Sequence, residues 1–369
     1  NGMQVCVLSD KSLPIVSHVL IYKVGSSDEP VGLSGMAHVL EHMMFKSTIN
    51  HDENYYINQL RKIGAAFNAT TTELFTSYYA TAPKQYLNLV AELESNRMKN
   101  LAIKDDEFKK ELQVVIAEKK MRLDNIEFAK AYEVVRNVQF PNYPFGHLAI
   151  GWIDDLNNIK TSDLEDFYKS YYRPSNAILV LSGDITKSEA EQLVKKYYSS
   201  KDLETVSLNR MYKADIVNDA KIYINKRSGQ LYEYIVKDKK LAADIYSELN
   251  IRTINSSEFI IDSSVSQNIS TEDLSKHLDV FLNKIADSGL KKEHVEMAKN
   301  YIKINQVYMH ENLEDLATHY AVFLALGLPV DFIKNYGDLV SSISVTDVNN
   351  MLKKLAVSNF VECHLKMQG

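Results

Sequence analysis

An internal repeat limits the folds that this chain can adopt. Residues 159–181 resemble residues 343–365 at an offset of about 184, and residues 106–125 resemble residues 293–312 at an offset of about 187. Two unrelated helix-strand pairs could produce such matches, but two nearly equal offsets in the same order favour duplication. The sequence therefore predicts two copies of one folding unit.

The length of the chain agrees with two domains, because 369 residues exceed what one hydrophobic core usually fills. We place the first domain at residues 1–201 and the second at residues 202–369. The second copy is short at its start, since the counterpart of Met3 would fall near residue 190, inside the last helix of the first copy. Strands come first in copy one and then mix with helices, which predicts the α+β class.

Hydrophobic periodicity and turn residues locate the elements of the first copy. The strand candidates are rich in β-branched and aromatic residues, and the helix candidates have apolar residues at core spacing. The predicted strands are Met3–Ser9, Ile15–Val24, Ala66–Ala69, Leu74–Ala80 and Ala177–Ser182, and the predicted helices are Met36–Phe45, Glu53–Ile63, Tyr86–Asn100 and Asp105–Leu123.

Composition argues against two classes of protein. The net charge of −6 argues against a nucleic-acid-binding surface. No run of about 18 apolar residues is present, so no transmembrane segment is predicted. Cys6 and Cys363 are predicted to be two buried thiols, with a disulfide as the alternative, so cysteine usage does not indicate a compartment.

The segment His38-Val39-Leu40-Glu41-His42 is the strongest chemical signal. Positions four apart lie on one face of a helix, so His38 and His42 can bind one metal ion, and neutral imidazole is a good zinc ligand. Glu41 lies beside them and can take a proton from a zinc-bound water, whose pKa falls to about 7. This HxxEH order is that of the inverzincins. Two exposed histidines beside a solvated acid are the alternative.

The flanks of this motif and a distant carboxylate favour the metal site. Apolar residues surround the motif, and burying its polar groups among them without a partner would be costly. A catalytic zinc needs three protein ligands and one open position. Glu118 lies in an otherwise apolar helical run and is the candidate third ligand. Glu111, seven residues earlier on the same face, is the candidate carboxylate that orients a ligand histidine.

Residues 35–48 closely resemble the zinc motif of the pitrilysin/insulinase family of metallopeptidases, particularly its bacterial and mitochondrial processing-peptidase branch. That family places its third ligand about 76 residues after the second histidine, and 118 − 42 = 76 here. The resemblance is specific over residues 1–200 and general beyond them. Its other matching segments are Phe67–Thr72, Tyr171–Ala177 and Gly183-Asp184.

The resemblance implies a fold and a mode of substrate binding. The fold would be two duplicated α/β-sandwich domains, each with an antiparallel-rich sheet and helices on one face, that form half of a clam-shell chamber. Phe67, Asn68 and Ala69 would form an edge strand to which a peptide substrate adds as a further strand. Asn68 would hold a substrate carbonyl. Without the resemblance, Asn68 is better interpreted as a turn or bulge residue.

The second copy lacks the metal chemistry. At the repeat offset Asn305 and Ala298 replace Glu118 and Glu111, and the counterpart of the HxxEH motif, near Ile224–Gly229, has no histidine. We therefore expect one zinc ion per chain, bound by the first domain, and no metal site in the second domain, which would supply the other wall of the chamber.

The sequence departs from the family at one point. Self-sufficient members have an Arg and, seven positions later, a Tyr in the second copy, which help to bind substrate and stabilise the oxyanion. Val236 and Ala243 occupy these places here. We therefore expect a dimer, either a heterodimer with a sister subunit that has the pair or a homodimer that lacks it.

The resemblance favours one function over two others. The favoured function is a zinc-dependent endopeptidase subunit that hydrolyses peptides or short unfolded polypeptides inside a dimer chamber, including presequence-type processing. A non-catalytic structural or assembly subunit and a structural zinc site are the alternatives. The compartment is left open, with the bacterial periplasm favoured over the cytoplasm and the mitochondrial matrix.

Overall fold

The computed structural model of this protein describes residues 1–140, 144–199, 229–253, 256–309, 311–358 and 360–365, with only the backbone at residues 124, 127, 250–253, 256 and 257. The chain divides into two compact units. Unit 1 comprises residues 1–209 and 309–333, and unit 2 comprises residues 210–308 and 334–369. The domain boundary predicted at residues 201–202 lies outside the described residues and stays a prediction. None of the helices in the described ranges has the length and apolar character needed to span a membrane.

The predicted strands and helices of the first copy all form, and most of their ends lie within three residues of the predicted ones. In chain order the elements are β1 (Gln4–Ser9), β2 (Ile15–Tyr22), α1 (Met36–Met43), α2 (Tyr55–Lys62), β3 (Ala66–Thr71), β4 (Thr76–Pro83), α3 (Leu87–Asn100), α4 (Asp105–Lys119), α5 (Glu127–Gln139), α6 (Ile153–Asn158), α7 (Thr161–Tyr171), β5 (Ala177–Gly183), α8 (Lys187–Tyr197), α9 (Gln230–Tyr232), β6 (Ala242–Thr253), β7 (Ser256–Val265), α10 (Thr271–Ser288), α11 (Lys292–Met309), α12 (Leu313–Ala325), α13 (Val330–Lys334), α14 (Tyr336–Ser342) and α15 (Val345–Ala356).

In the described part of unit 1, the sheet has five strands in the order β1-β5-β2-β4-β3. β1 and β5 are parallel and the other neighbours are antiparallel, so the sheet is antiparallel-rich, as the resemblance implies. β5 is buried along its whole length, which requires cover on both faces of the sheet. β3 lies at an edge and pairs with β4 alone among the described strands.

One face of this sheet packs against the helices of the first copy. Val16, Leu20 and Tyr22 of β2 point into a core that also contains buried residues of α1, α3, α4, α7 and α8. α1 has apolar residues on almost every side, which is typical of a fully buried helix. The polar residues of α1 therefore need partners inside this core.

The other face of the sheet is covered by α12, from the second half of the chain. Ser17 alternates with Val16 and His18 and so faces away from the core just described. Its hydroxyl accepts a hydrogen bond from Thr81 Oγ1 at 3.0 Å, and Thr81 Oγ1 is also 3.4 Å from Glu314 Oε2 of α12. The buried residues of α12 are Ala317, Tyr320, Ala321 and Leu324. The resemblance implied helices on one face of the sheet. Helix α12 covers the other face as well, and the sequence pattern did not indicate this second layer.

The second half of the chain repeats the element order of the first. In the first half, the hairpin β3–β4 is followed by α3, α4, α5, α6 and α7. In the second half, the hairpin β6–β7 is followed in the same way by α10, α11, α12, α14 and α15, with α13 as an additional helix. Residues 360–365, after α15, have no regular secondary structure, whereas β5 follows α7. The order supports duplication of one unit, and the predicted α+β class is confirmed.

We expect Leu324→Ala to destabilise unit 1, because Leu324 is buried on α12, which packs on β2 and β5. The free energy of unfolding should fall by about 2–5 kcal/mol. Urea unfolding followed by the fluorescence of Trp152, the single tryptophan, measures the change in unit 1. Leu339→Ala, at a residue 41% exposed on α14, is the control. A midpoint unchanged by Leu324→Ala would contradict the packing of α12 on the sheet.

Candidate metal centre

The loop before α1 fixes the start of this helix. Glu29 accepts hydrogen bonds from the backbone N–H groups of Gly35 and Ala37 at 2.9 and 2.7 Å. A buried carboxylate thus satisfies donors that the first turn of a helix leaves unpaired. Gly35 has a φ of 92°, and an added Cβ would lie 2.7 Å from the carbonyl oxygen of Ile150. The helix with the HxxEH motif is therefore anchored at its N-terminal end.

The three predicted ligands lie together in the structure. Nε2 of His42 is 3.4 Å and Nε2 of His38 is 4.0 Å from Oε2 of Glu118. One ligand atom from each of the three residues lies within 4.8 Å of the other two. Because α1 packs against α4, a carboxylate distant in sequence lies beside the two imidazoles.

The spacing of these atoms suits a zinc ion. Zinc bonds of about 2.0–2.1 Å at tetrahedral angles place neighbouring ligand atoms about 3.3 Å apart. The observed 3.4 and 4.0 Å are close to that spacing and longer than an ordinary hydrogen bond of about 2.7–3.2 Å, so the carboxylate and the imidazoles do not satisfy one another directly. Two imidazole nitrogens and one carboxylate oxygen are a donor set found in catalytic zinc sites.

Glu111 contacts the outer nitrogen of His42. Its Oε1 is 2.9 Å from Nδ1 of His42, and its Oε2 is 2.6 Å from Nζ of Lys46. When Nδ1–H donates to Glu111, the lone pair of His42 Nε2 is free to face Glu118, which is the tautomer that a metal ligand needs. Burial alone would lower the pKa of His42, but the hydrogen bond to Glu111 and the surrounding carboxylates raise it overall. A metal binds only the form in which Nε2 carries no proton, so metal binding competes with protonation of this imidazole.

His38 lies in a different environment. Its Nδ1 is buried without a hydrogen-bond partner among the residues that the structure describes. Burial, with smaller contributions from His42 and Arg122, lowers the pKa of His38 to about 3. The imidazole is therefore neutral at physiological pH, and neutral imidazole is the form that binds metals.

Glu41 lies on the same helix and is paired with the neighbouring strand. Its Oε2 accepts a hydrogen bond of 2.6 Å from Oγ1 of Thr71, at the end of β3. Burial raises the pKa of Glu41, and the hydrogen bond from Thr71 opposes part of this rise. A buried carboxylate with a raised pKa beside a ligand cluster is typical of a general base.

Glu118 has a second partner. Nη1 of Arg122 lies 3.0 Å from Oε1 of Glu118. Arg122 is in the π-helical turn Lys120–Asp124, which continues directly from α4. The two oxygens of Glu118 therefore face different groups, one the imidazoles and the other a guanidinium.

β3 lies beside the cluster and has an open edge. Phe67 is half-buried and packs against Phe45 and Tyr56. Asn68 is exposed, and its Oδ1 accepts a hydrogen bond from the backbone N–H of Ala69. Since β4 is the one described neighbour of β3, the outer main-chain groups of β3 can pair with another strand. The edge position is thus present, and the substrate-binding role of these residues stays a prediction.

Among the described residues, His38, His42 and Glu118 form the one group of side chains that could hold a metal ion. The described part of the second half of the chain has no comparable cluster. Val236 lies in the π-helical turn Glu233–Asp238, and Ala243 lies in β6. The counterpart of the HxxEH motif falls almost wholly outside the described residues, which resume at Gly229.

Several contacts at the site were not predicted from the sequence. Lys46, Thr71 and Arg122 each contact a predicted site residue, and Glu29 anchors α1. The contact between Arg122 and Glu118 could have been predicted from the sequence, because an acid and a base four residues apart face each other on a helix. Lys46 and Thr71 reach their partners through tertiary packing, for which the sequence has no fixed spacing.

In a comparison with known protein families, two family models match different parts of this chain. The model described as insulinase, peptidase family M16, matches residues 4–134, which include His38, Glu41, His42 and Glu118. The model described as the peptidase M16 inactive domain matches residues 158–224. The first match therefore contains the whole candidate metal centre.

Individual relatives extend the similarity over most of the chain. A zinc protease of Helicobacter pylori, PqqE, is 28% identical over 396 aligned positions, which cover 96% of this chain and 89% of that protein. A protein of Arabidopsis thaliana named "Probable mitochondrial-processing peptidase subunit beta, mitochondrial" is 26% identical over 213 positions, covering 56% of this chain and 39% of that protein. The crystal structure of a protease from Helicobacter pylori has a TM-score of 0.86 and 25% identity, over 96% of this chain and 94% of that one.

We expect Gly35→Ala to destabilise unit 1 more than Gly32→Ala does. Both glycines have positive φ, 92° and 84°, where an L residue costs about 1–2 kcal/mol. A Cβ at residue 32 meets nothing within 4 Å, whereas one at residue 35 meets the backbone of Ile150. The extra clash should add at least about 1 kcal/mol. Urea midpoints from Trp152 fluorescence measure both variants, and equal midpoints would contradict the anchoring of α1.

Proposed function

We propose that this protein is the zinc-bearing subunit of an endopeptidase. The chain belongs to the insulinase (M16) family of peptidases, in its bacterial and mitochondrial processing-peptidase branch. The observation that carries this proposal is the convergence of His38, His42 and Glu118 with Glu41 alongside. A purely structural or assembly role needs none of these residues. A structural zinc site would have four protein ligands rather than three.

The proposed chemistry is hydrolysis of a peptide bond by water. Zinc, when held by the three ligands, supplies a Lewis acid that acidifies a water molecule and polarises a peptide carbonyl. Glu41 takes the proton of the attacking water, since its buried carboxylate has a raised pKa and lies on the ligand helix. The hydroxyl of Thr71 holds one oxygen of Glu41, which leaves the other oxygen to move the proton to the departing amine.

The neighbouring charges support this assignment. Glu111 accepts the Nδ1–H of His42 and is itself held by Lys46, so rotation or a change of tautomer of the imidazole would break its hydrogen bond to Glu111. The cluster would therefore be formed before substrate binds. A preformed site costs no reorganisation during the reaction.

The proposed substrate is an extended peptide that adds to β3. This strand ends at Thr71, which contacts the base, so a peptide paired along β3 would run past the ligand cluster. Main-chain pairing gives affinity with little demand on sequence. The exposed side chain of Asn68 would then hold a substrate carbonyl, and short or unfolded polypeptides would be the substrate class.

We also propose that the active form is a dimer. Val236 and Ala243 occupy the places of the Arg and Tyr that self-sufficient members use to bind substrate and stabilise the oxyanion. A sister subunit with that pair would complete the site. One relative of this chain is itself named as a subunit, the beta subunit of a processing peptidase.

We expect Glu41→Gln to retain zinc and to lose peptide cleavage. Gln keeps the shape of the side chain and can still accept the hydrogen bond from Thr71, but it cannot take a proton. Cleavage of a quenched fluorescent peptide should fall by at least about 10²-fold, while metal analysis still gives one zinc per chain. Glu92→Gln, at an exposed acid of α3, is the control. Unchanged cleavage by Glu41→Gln would refute the role of Glu41, and zinc binding without any cleavage by the unaltered dimer would favour the assembly role.

We expect the lone chain to cleave peptides about 10²–10³-fold more slowly than the chain combined with a sister subunit, because the oxyanion-binding pair is missing. The measurement compares cleavage by the chain purified alone and together with a family member that has the Arg and Tyr. A sister subunit whose Tyr is changed to Phe serves as the control and should restore less activity. Full activity of the lone chain would contradict the need for a partner.

A further inference from the structure

The two carboxylate oxygens of Glu118 have different surroundings. Oε2 faces Nε2 of His42 at 3.4 Å and Nε2 of His38 at 4.0 Å. Oε1 lies 3.0 Å from Nη1 of Arg122. A carboxylate that binds a metal through both oxygens occupies two coordination positions, and one that binds through a single oxygen occupies one. The rotation of Glu118 therefore affects whether a position stays open for water.

The local geometry of the chain favours this ion pair. Glu118 precedes Arg122 by four residues, which is the order in which an acid and a base on a helix interact best. The pair lies where α4 passes into the π-helical turn Lys120–Asp124. The side chain of Glu118 is 14% exposed and that of Arg122 is 68% exposed. The arginine thus reaches from solvent to one oxygen of a largely buried acid.

We propose that Arg122 is a positioning residue that holds Oε1 of Glu118 and so leaves Oε2 alone to bind the metal. This inference rests on the proposed function, in which Glu118 is a zinc ligand. In this proposal Arg122 acts through Glu118. A guanidinium suits this role because it is always charged and its N–H groups have fixed directions.

The role of Arg122 concerns the metal more than the fold. Exposed ion pairs contribute little to folding stability. Groups that orient a metal ligand nevertheless change metal affinity by about 10- to 100-fold. Because Arg122 is largely exposed to water, we expect an effect at the lower end of this range.

Zinc affinity of the full chain tests the proposal without any measurement of cleavage. Competition with a chromophoric chelator should give a dissociation constant about tenfold higher for Arg122→Met than for the unaltered chain. Arg122→Lys keeps the charge but not the planar N–H groups and should fall between them. Lys120→Met, at an exposed lysine of the same turn, is the matched control and should leave affinity unchanged. The Trp152-monitored unfolding of the metal-free variants should be unchanged, since the pair adds little to the fold.

The visible spectrum of the cobalt-substituted protein tests the geometry itself. Without Arg122, Glu118 is free to bind the metal through both oxygens, which would raise the coordination number. Five-coordinate Co²⁺ absorbs more weakly than four-coordinate Co²⁺, so the bands of Arg122→Met should lose intensity while those of Lys120→Met do not. A spectrum identical to that of the unaltered chain would argue that Arg122 does not set the coordination of Glu118.

Failure of this inference can be distinguished from failure of the proposed function. If the unaltered chain binds no zinc, the proposed function is wrong and this inference with it. If the unaltered chain binds one zinc and Arg122→Met changes the dissociation constant by less than twofold with an unaltered cobalt spectrum, the inference about Arg122 alone is wrong.

Discussion

Burial of the polar side chains of α1 is the constraint on which the rest of the site depends. A buried polar group without a partner costs roughly 2–7 kcal/mol, and a buried charge costs more. The structure pairs His42 with Glu111 and Glu41 with Thr71, and it turns the Nε2 atoms of both histidines towards Glu118. The carboxylate and the two imidazoles are too far apart to satisfy each other, so a divalent ion would complete an arrangement that the protein alone leaves incomplete.

Two separate packing contacts assemble this arrangement. The contact of α1 with α4 brings Glu118, the candidate third ligand, to the two histidines, and the contact of α1 with β3 brings Thr71 to Glu41, the proposed base. β3 is itself placed by its pairing with β4 in a sheet that is covered on both faces. The candidate ligands, Glu41 and the open edge of β3 are therefore all placed by the packing of α1. A small shift of α1 would disturb all three at once, which is why the anchoring of α1 at Gly35 matters for the chemistry.

The helix-borne pairs of this arrangement could be predicted from short-range spacing, and the link between His42 and Glu118 came from the family resemblance. The positions of His38 and His42 four residues apart, and of Glu111 and Glu118 seven apart, each define one helix face. The cover of the sheet by α12 could not be predicted, because hydrophobic periodicity shows that a helix is amphipathic but not which surface it covers. Thr71 was missed for the same reason, since its contact with Glu41 depends on how a strand and a helix pack. The ion pair of Arg122 was missed although its spacing was readable.

The duplicated scaffold explains how one half can keep the metal chemistry while the other half loses it. α11 corresponds to α4 but has Asn305 and Ala298 in place of the two acids, and both positions are only half-buried. An amide and a methyl group need no metal and no charged partner there, so these two positions create no demand for an ion. Val236 and Ala243 add no charge or hydroxyl either. Among the described residues, the candidate ligands and the candidate proton acceptor therefore all lie in unit 1. Because the family resemblance assigns substrate binding and oxyanion stabilisation to the Arg and Tyr that Val236 and Ala243 replace, this difference is the reason for proposing a second subunit.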